Sequence, residues 1–161
     1  GETLDIGRKN GTGFGWSKGA TVKVYVTLPR LTEANVSGSG NMAVDRVEGS
    51  GFEGGIAGSG NLTIAAVQVE SAKFSIAGSG TARASGSARD LSVEIAGSGN
   101  VEASRLQAKS AKVEIAGSGS VRAVVDGPAK VDMMGSGDVD LGPRSRCTVS
   151  KMGSGSVRCG S

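Results

Sequence analysis

The stretch Leu91-Ser92-Val93-Glu94-Ile95-Ala96-Gly97-Ser98-Gly99-Asn100-Val101-Glu102-Ala103 decides the fold. Apolar residues alternate with polar ones on both sides of a Gly-Ser-Gly triplet. Alternation with period two is the mark of a half-buried strand, not of a helix. The triplet recurs at Gly38, Gly58, Gly78, Gly97, Gly117, Gly135 and Gly153, so the spacings are 20, 20, 19, 20, 18 and 18. A near-constant period in this range signals a solenoid, whose repeats must stack because none buries its apolar face alone.

The segments before each triplet place Phe52/Gly54/Ile56, Ala72/Phe74/Ile76, Leu91/Val93/Ile95, Ala111/Val113/Ile115 and Ala129/Val131/Met133 on the inner face. The shorter segments after it place Met42/Val44, Leu62/Ile64, Ala82/Ala84, Val101/Ala103, Val121/Ala123 and Val139/Leu141 there. A third short strand is expected near Val47, Val67, Leu106 and Val125. This predicts strands of three to six residues, two or three per coil, in an all-β solenoid of about six to seven coils.

Stacking predicts columns. Gly54 should lie against Phe74 and Phe52 against Ala72, large beside small, as close packing requires. The outward column after the triplet reads Ala43, Thr63, Arg83, Glu102, Arg122, Asp140, Arg158. From Arg83 onward its charge alternates in sign. Parallel neighbours sit about 4.8 Å apart, where opposite charges attract and like charges repel. A second pair of columns, Glu94/Glu114/Asp132 beside Lys73/Lys112/Lys130, reads as a surface ion lattice; the competing reading is a cation site on the three acids.

The paired glycines Gly38/Gly40, Gly58/Gly60, Gly78/Gly80, Gly97/Gly99, Gly117/Gly119, Gly135/Gly137 and Gly153/Gly155 are expected to be structural corner residues, because Gly reaches sharp backbone angles without steric cost. Between them Ser39, Ser59, Ser79, Ser98, Ser118, Ser136 and Ser154 would form a ladder, followed by the polar column Asn41, Asn61, Thr81, Asn100, Ser120, Asp138, Ser156.

The 161 residues suit one domain, with residues 1–30 as an N-terminal cap and 31–161 as repeats. Thr3–Ile6 and Thr21–Leu28 read as a hairpin around the Gly-rich segment 8–19, with Trp16 expected to cover the first coil. The two cysteines, Cys147 and Cys159, fall on inward positions of the last coil. A disulfide closing that end is the favoured reading and implies an oxidising compartment; two buried free thiols are the alternative.

No histidine is present, which removes Ser-His-Asp, Cys-His and His-metal chemistry together. No catalytic, cofactor or metal site is expected. Lysine and arginine (18) nearly match aspartate and glutamate (15), without a basic run, and aromatics are only 3%. That argues against nucleic acid as a partner. No apolar stretch approaches the length of a membrane span. The chain opens on Gly1-Glu2-Thr3 rather than a charged leader, so a signal peptide is expected to have been removed.

The recurring Ile-Ala-Gly-Ser-Gly corner at Ile56, Ile76, Ile95 and Ile115, and the lead-in Tyr25-Val26-Thr27-Leu28-Pro29-Arg30-Leu31 before Val36-Ser37-Gly38-Ser39-Gly40, closely resemble the family called putative auto-transporter adhesin, head GIN domain. The resemblance covers nearly the whole chain, most clearly residues 21–161. It implies a right-handed parallel β-helix in secreted, periplasmic or outer-membrane-associated bacterial proteins, and it brings no catalytic residues to carry over. The expected role is a non-catalytic envelope or extracellular interaction module, with a cell-surface protein or glycan as partner and self-association through solenoid ends or faces. The alternative is a carbohydrate-active enzyme or polysaccharide-binding protein on the same scaffold, a reading that rests on fold analogy. Ice or crystal-surface binding is a third class, but Thr21, Thr27, Thr32, Thr63, Thr81 and Thr148 make no flat ladder.

Overall fold

The computed structural model describes the backbone of residues 2–6, 23–26 and 31–160, with side chains from Glu33 to Gly160. Its elements are β1 (Glu2–Ile6), β2 (Lys23–Val26), β3 (Leu31–Gly38), β4 (Asn41–Gly58), β5 (Asn61–Gly78), β6 (Thr81–Gly97), β7 (Asn100–Gly117), β8 (Ser120–Val125), β9 (Gly127–Gly135), β10 (Asp138–Asp140), β11 (Ser145–Met152) and β12 (Ser156–Arg158). All are strands, and every pairing between them is parallel. The chain is a parallel β-solenoid.

The strands are longer than the three to six residues expected. In β4, β5 and β7 one strand of 18 residues runs through a whole coil and ends only at the glycine corner. The bends lie inside the strand, where two outward residues follow each other: Ala65-Ala66 and Glu70-Ser71 in β5. Each doubling turns the chain, and pairing to the next coil resumes beyond it. Three sides result: a post-corner side (Leu62, Ile64), a third side (Val67, Val69) and a pre-corner side (Ala72, Phe74, Ile76), whose named side chains are all buried.

The apolar side chains read as inward from the alternation all lie in one core, Val47, Val67, Leu106 and Val125 included, and Gly54 is buried beside them. The exception to the third-side column is Gly86, which pairs with Val67 and is exposed. It falls in the 19-residue repeat, where the ladder slips between Ile64 and Val67. The missing residue is therefore absorbed at a bend, and the two longer sides keep their register.

Residues 1–30 do not hold the expected hairpin in their described parts. β1 pairs with β3 and β2 with β4, both parallel. Val24 and Val26 stand against Met42 and Val44, and Leu4 and Ile6 against Ala34 and Val36. These two segments carry the apolar phase of the repeats, so each is laid down as a further side of the stack. The expectations for Trp16 and the Gly-rich segment fall outside the described residues.

Candidate functional surface

The corner explains the sequence motif by two different constraints, and this corrects the single reason given for the paired glycines. Freedom of backbone angle applies to the first glycine of each pair. Gly97, for example, has φ +122°, a conformation that L side chains rarely adopt. It does not apply to the second: Gly60, Gly80, Gly99, Gly119, Gly137 and Gly155 are not among the glycines with positive φ. These six are buried instead, and what excludes a side chain there is space. A Cβ on Gly60 would run into Gly40 O, one on Gly80 into Gly60 O, one on Gly119 into Gly99 O, and one on Gly137 into Gly119 O. A Cβ on Gly99 would meet Ile76 Cγ2. The second glycine is therefore a packing residue that lets successive coils approach, not a residue of unusual backbone angle.

The ladder survives the turn because each central serine from Ser59 to Ser136 donates its backbone N–H to the preceding coil: Ser98 N to Gly78 O at 3.0 Å, Ser118 N to Gly97 O at 2.9 Å. The serine ladder thus lies in the backbone, and the serines themselves are exposed.

The polar column beyond the corner does pair through side chains. Asn61 Nδ2 donates to Asn41 Oδ1 at 2.7 Å, Ser120 N to Asn100 Oδ1 at 3.2 Å, and Ser156 Oγ to Asp138 Oδ1 at 2.5 Å. Next to it the alternating charge column holds its register throughout: Arg83 with Glu102, Glu102 with Arg122, Arg122 with Asp140, Asp140 with Arg158. Arg83 Nε closes on Glu102 Oε2 at 2.8 Å.

On the pre-corner side the two columns of like charge interlock. Lys112 Nζ lies 2.7 Å from Glu114 Oε1 and Lys130 Nζ 3.3 Å from Asp132 Oδ2. Lys73 bridges Glu94 at 3.7 Å and Glu53 at 4.0 Å. The Glu114 hydrogen bond, then its charge, raises the Lys112 pKa above the ordinary lysine value, against a smaller opposing effect of desolvation. Glu94, Glu114 and Asp132 are thus neutralised by lysines, and among the described residues no cluster of acids or cysteines has metal-binding geometry.

Along the outer wall the residue before each corner forms a stripe, Ala57, Ala77, Ala96, Ala116 and then Met134 and Met152. Its members from Ala57 to Met134, with the acidic column, line an open groove of about 900 Å³. Met134 and Met152 are 61% and 69% exposed.

Cys147 and Cys159 form the expected disulfide, with Cα atoms 6.1 Å apart. The last coil is otherwise less closed than the sequence implied. In phase with Val131 and Met133 stand Val149, 45% exposed, and Lys151. Lys151 turns its ammonium to Gly155 O at 2.7 Å. Ser145, fully buried, was also missed: its hydroxyl donates to Gly142 O at 2.8 Å and accepts from Gly160 N at 3.3 Å. Repeat phase would have marked Lys151, which sits in a column of isoleucines and methionine, but not Ser145, whose column holds Gly127.

Parallel coils, glycine corners and an ordered charge lattice define the class, a β-solenoid with a patterned surface. The chain belongs to the family described as putative auto-transporter adhesin, head GIN domain, whose profile matches residues 1–144. Among solved structures it is similar to a putative adhesin from Bacteroides fragilis, at TM-score 0.72 and 21% identity. The match covers 80% of this chain and 60% of that one, so this chain spans less than two thirds of that structure. No curated protein matches the chain.

Proposed function

We propose that this chain is a non-catalytic adhesive module of the bacterial cell envelope or extracellular space, engaging a cell-surface protein or glycan. Family membership over residues 1–144 carries the reading. The surface supports it: the acids of the pre-corner side are tied to lysines, and the solenoid presents the same chemistry coil after coil. The half-buried Cys147–Cys159 disulfide fits an oxidising compartment.

A glycan and surface-binding array probed with the oxidised protein tests this. Saturable binding to a glycan or surface protein, without chemical change of the target, is the expected result. Turnover of a polysaccharide, seen as new reducing ends, would replace this reading with the enzymatic one.

A further inference from the structure

We propose that the third side of the solenoid between Arg89 and Arg146 is a binding face for an acidic polysaccharide, an inference that rests on the adhesive reading above. Ion pairing is distributed unevenly around the coil. On the pre-corner side Lys73, Lys112 and Lys130 each close on a carboxylate. On the post-corner side arginines alternate with acids in register. On the third side, from Arg89 to Arg146, the cations Arg89, Arg105, Lys109, Arg144 and Arg146 stand against Asp90 and Asp126, with Glu70 of the preceding coil in line with Arg89 but not in an ion pair with it.

Both acids are already engaged. Asp126 lies 3.6 Å from Arg144, and Asp90 accepts the Ser110 hydroxyl. Arg89, Arg105, Lys109 and Arg146 are exposed and form no ion pair with another described residue. Ala88 pairs with Ala108, so Arg89 and Lys109, which follow them, are neighbours one coil apart. That places two like charges at roughly 4.8 Å strand spacing, an arrangement that repels. Arg105 shares the side with Lys109, with the outward Gln107 between them. Arg146 pairs with Pro128, on the line continued from Asp90 and Ser110.

Cations one strand apart cost the fold something that an external polyanion relieves. Successive coils rise about 4.8 Å along the axis, so an acidic chain laid along it meets these cations at short, regular intervals. Guanidinium groups suit carboxylate or sulfate oxygens, which they bind two at a time. The aromatic rings described, Phe52 and Phe74, are both in the core. This face therefore offers charge and hydrogen bonds, not the stacking platform that single-stranded nucleic acid uses.

The experiment measures binding of the oxidised protein to immobilised polygalacturonate, dextran sulfate, neutral dextran and DNA. The variants are the triple Arg89→Gln/Arg105→Gln/Lys109→Gln and, as control, Lys112→Gln/Lys130→Gln, each checked for wild-type circular dichroism. The expected result is salt-sensitive binding to one or both acidic polysaccharides, weakened on the order of tenfold in the triple variant and little changed in the control. Unchanged binding in the triple variant overturns the face while the adhesive reading stands. Equal or tighter binding to DNA overturns the ligand class. Binding to none of these, with a hit elsewhere on the surface array, overturns the acidic-polysaccharide assignment alone; silence in both removes the adhesive reading with it.

Discussion

Phe74 lies in register against Gly54 of the preceding coil, and its ring meets Phe52 edge-on with centroids 6.3 Å apart. A Cβ on Gly54 would stand 2.8 Å from Leu62 Cδ2 and 3.2 Å from Phe74 Cδ1. The glycine is the socket for the ring. Gly54→Ala should destabilise by about 1–3 kcal/mol through overpacking, and Phe74→Ala by about 3–5 kcal/mol through the cavity. Gly54→Ala/Phe74→Ala should cost less than the sum of its parts, because the two sites share one space. Urea unfolding of the four proteins measures this, and strict additivity would contradict it.

The corner at Gly97 should tolerate no branched side chain. Gly97→Val combines an unfavourable φ with a Cβ placed 2.6 Å from Gly78 O, and is expected to cost at least about 2 kcal/mol. Ser98→Ala should stay within about 0.5 kcal/mol, because Ser98 contributes its backbone N–H to the ladder. Thermal melts of the two variants decide it; equal losses would mean that the hydroxyl matters after all.

Glu102 stands between Arg83 and Arg122 in its column. Glu102→Arg therefore stacks three like charges. The expected loss is about 1 kcal/mol, since each exposed pair contributes under about that much, and it should shrink in high salt. Adding Arg83→Glu should restore part of it, since Arg122 stays in register with Asp140 and keeps that attraction. Melting temperatures at low and high ionic strength give the answer.

Lys112 carries a pH signature. Its folded-state pKa lies above the ordinary lysine value because Glu114 holds its charged form. The pair's stabilisation is therefore complete at pH values below the ordinary lysine range and is lost as pH rises through the folded-state pKa. Glu114→Gln should bring the Lys112 titration back toward the ordinary value in an NMR experiment. An unshifted titration in the parent protein would show that the contact is not populated.

Reducing the Cys147–Cys159 bridge, which spans 12 positions, should lower stability by about 2–3 kcal/mol in the chain-entropy model. The effect should concentrate in the last coil. Hydrogen exchange should speed up in β11 and β12 and barely change in β5 and β6. Two free thiols in denatured protein that was never reduced would exclude the bridge.

The inner face was legible because alternation and the glycine period are local signals. Val93, Ile95, Val101 and Ala103 could each be assigned from neighbours in sequence. The charge column was legible for a related reason: once coils stack, positions 18 to 20 apart in sequence become neighbours, as Arg83 and Glu102 do. The two glycines of a corner were legible as a pair but not as two different devices. Gly97 needs its backbone angle and Gly99 needs its missing side chain, and the second need exists only once the preceding coil is in place. Ala65-Ala66 and Glu70-Ser71 were not legible as bends within one strand, because two outward residues in succession look like a strand end. The described parts of residues 1–30 were misread as a hairpin because a parallel partner that comes later in the chain leaves no turn signal between the two segments.

Sequence periodicity by itself determined which side chains face inward and which residues of successive coils become neighbours, since both depend only on spacing along the chain. Tertiary structure alone decided which charges find partners. The lysines of the pre-corner side meet carboxylates on the same strand or the next, whereas Arg89, Arg105 and Lys109 form no ion pair with another described residue on the third side. Pairing depends on where a bend turns each side chain, and repeat spacing does not record that.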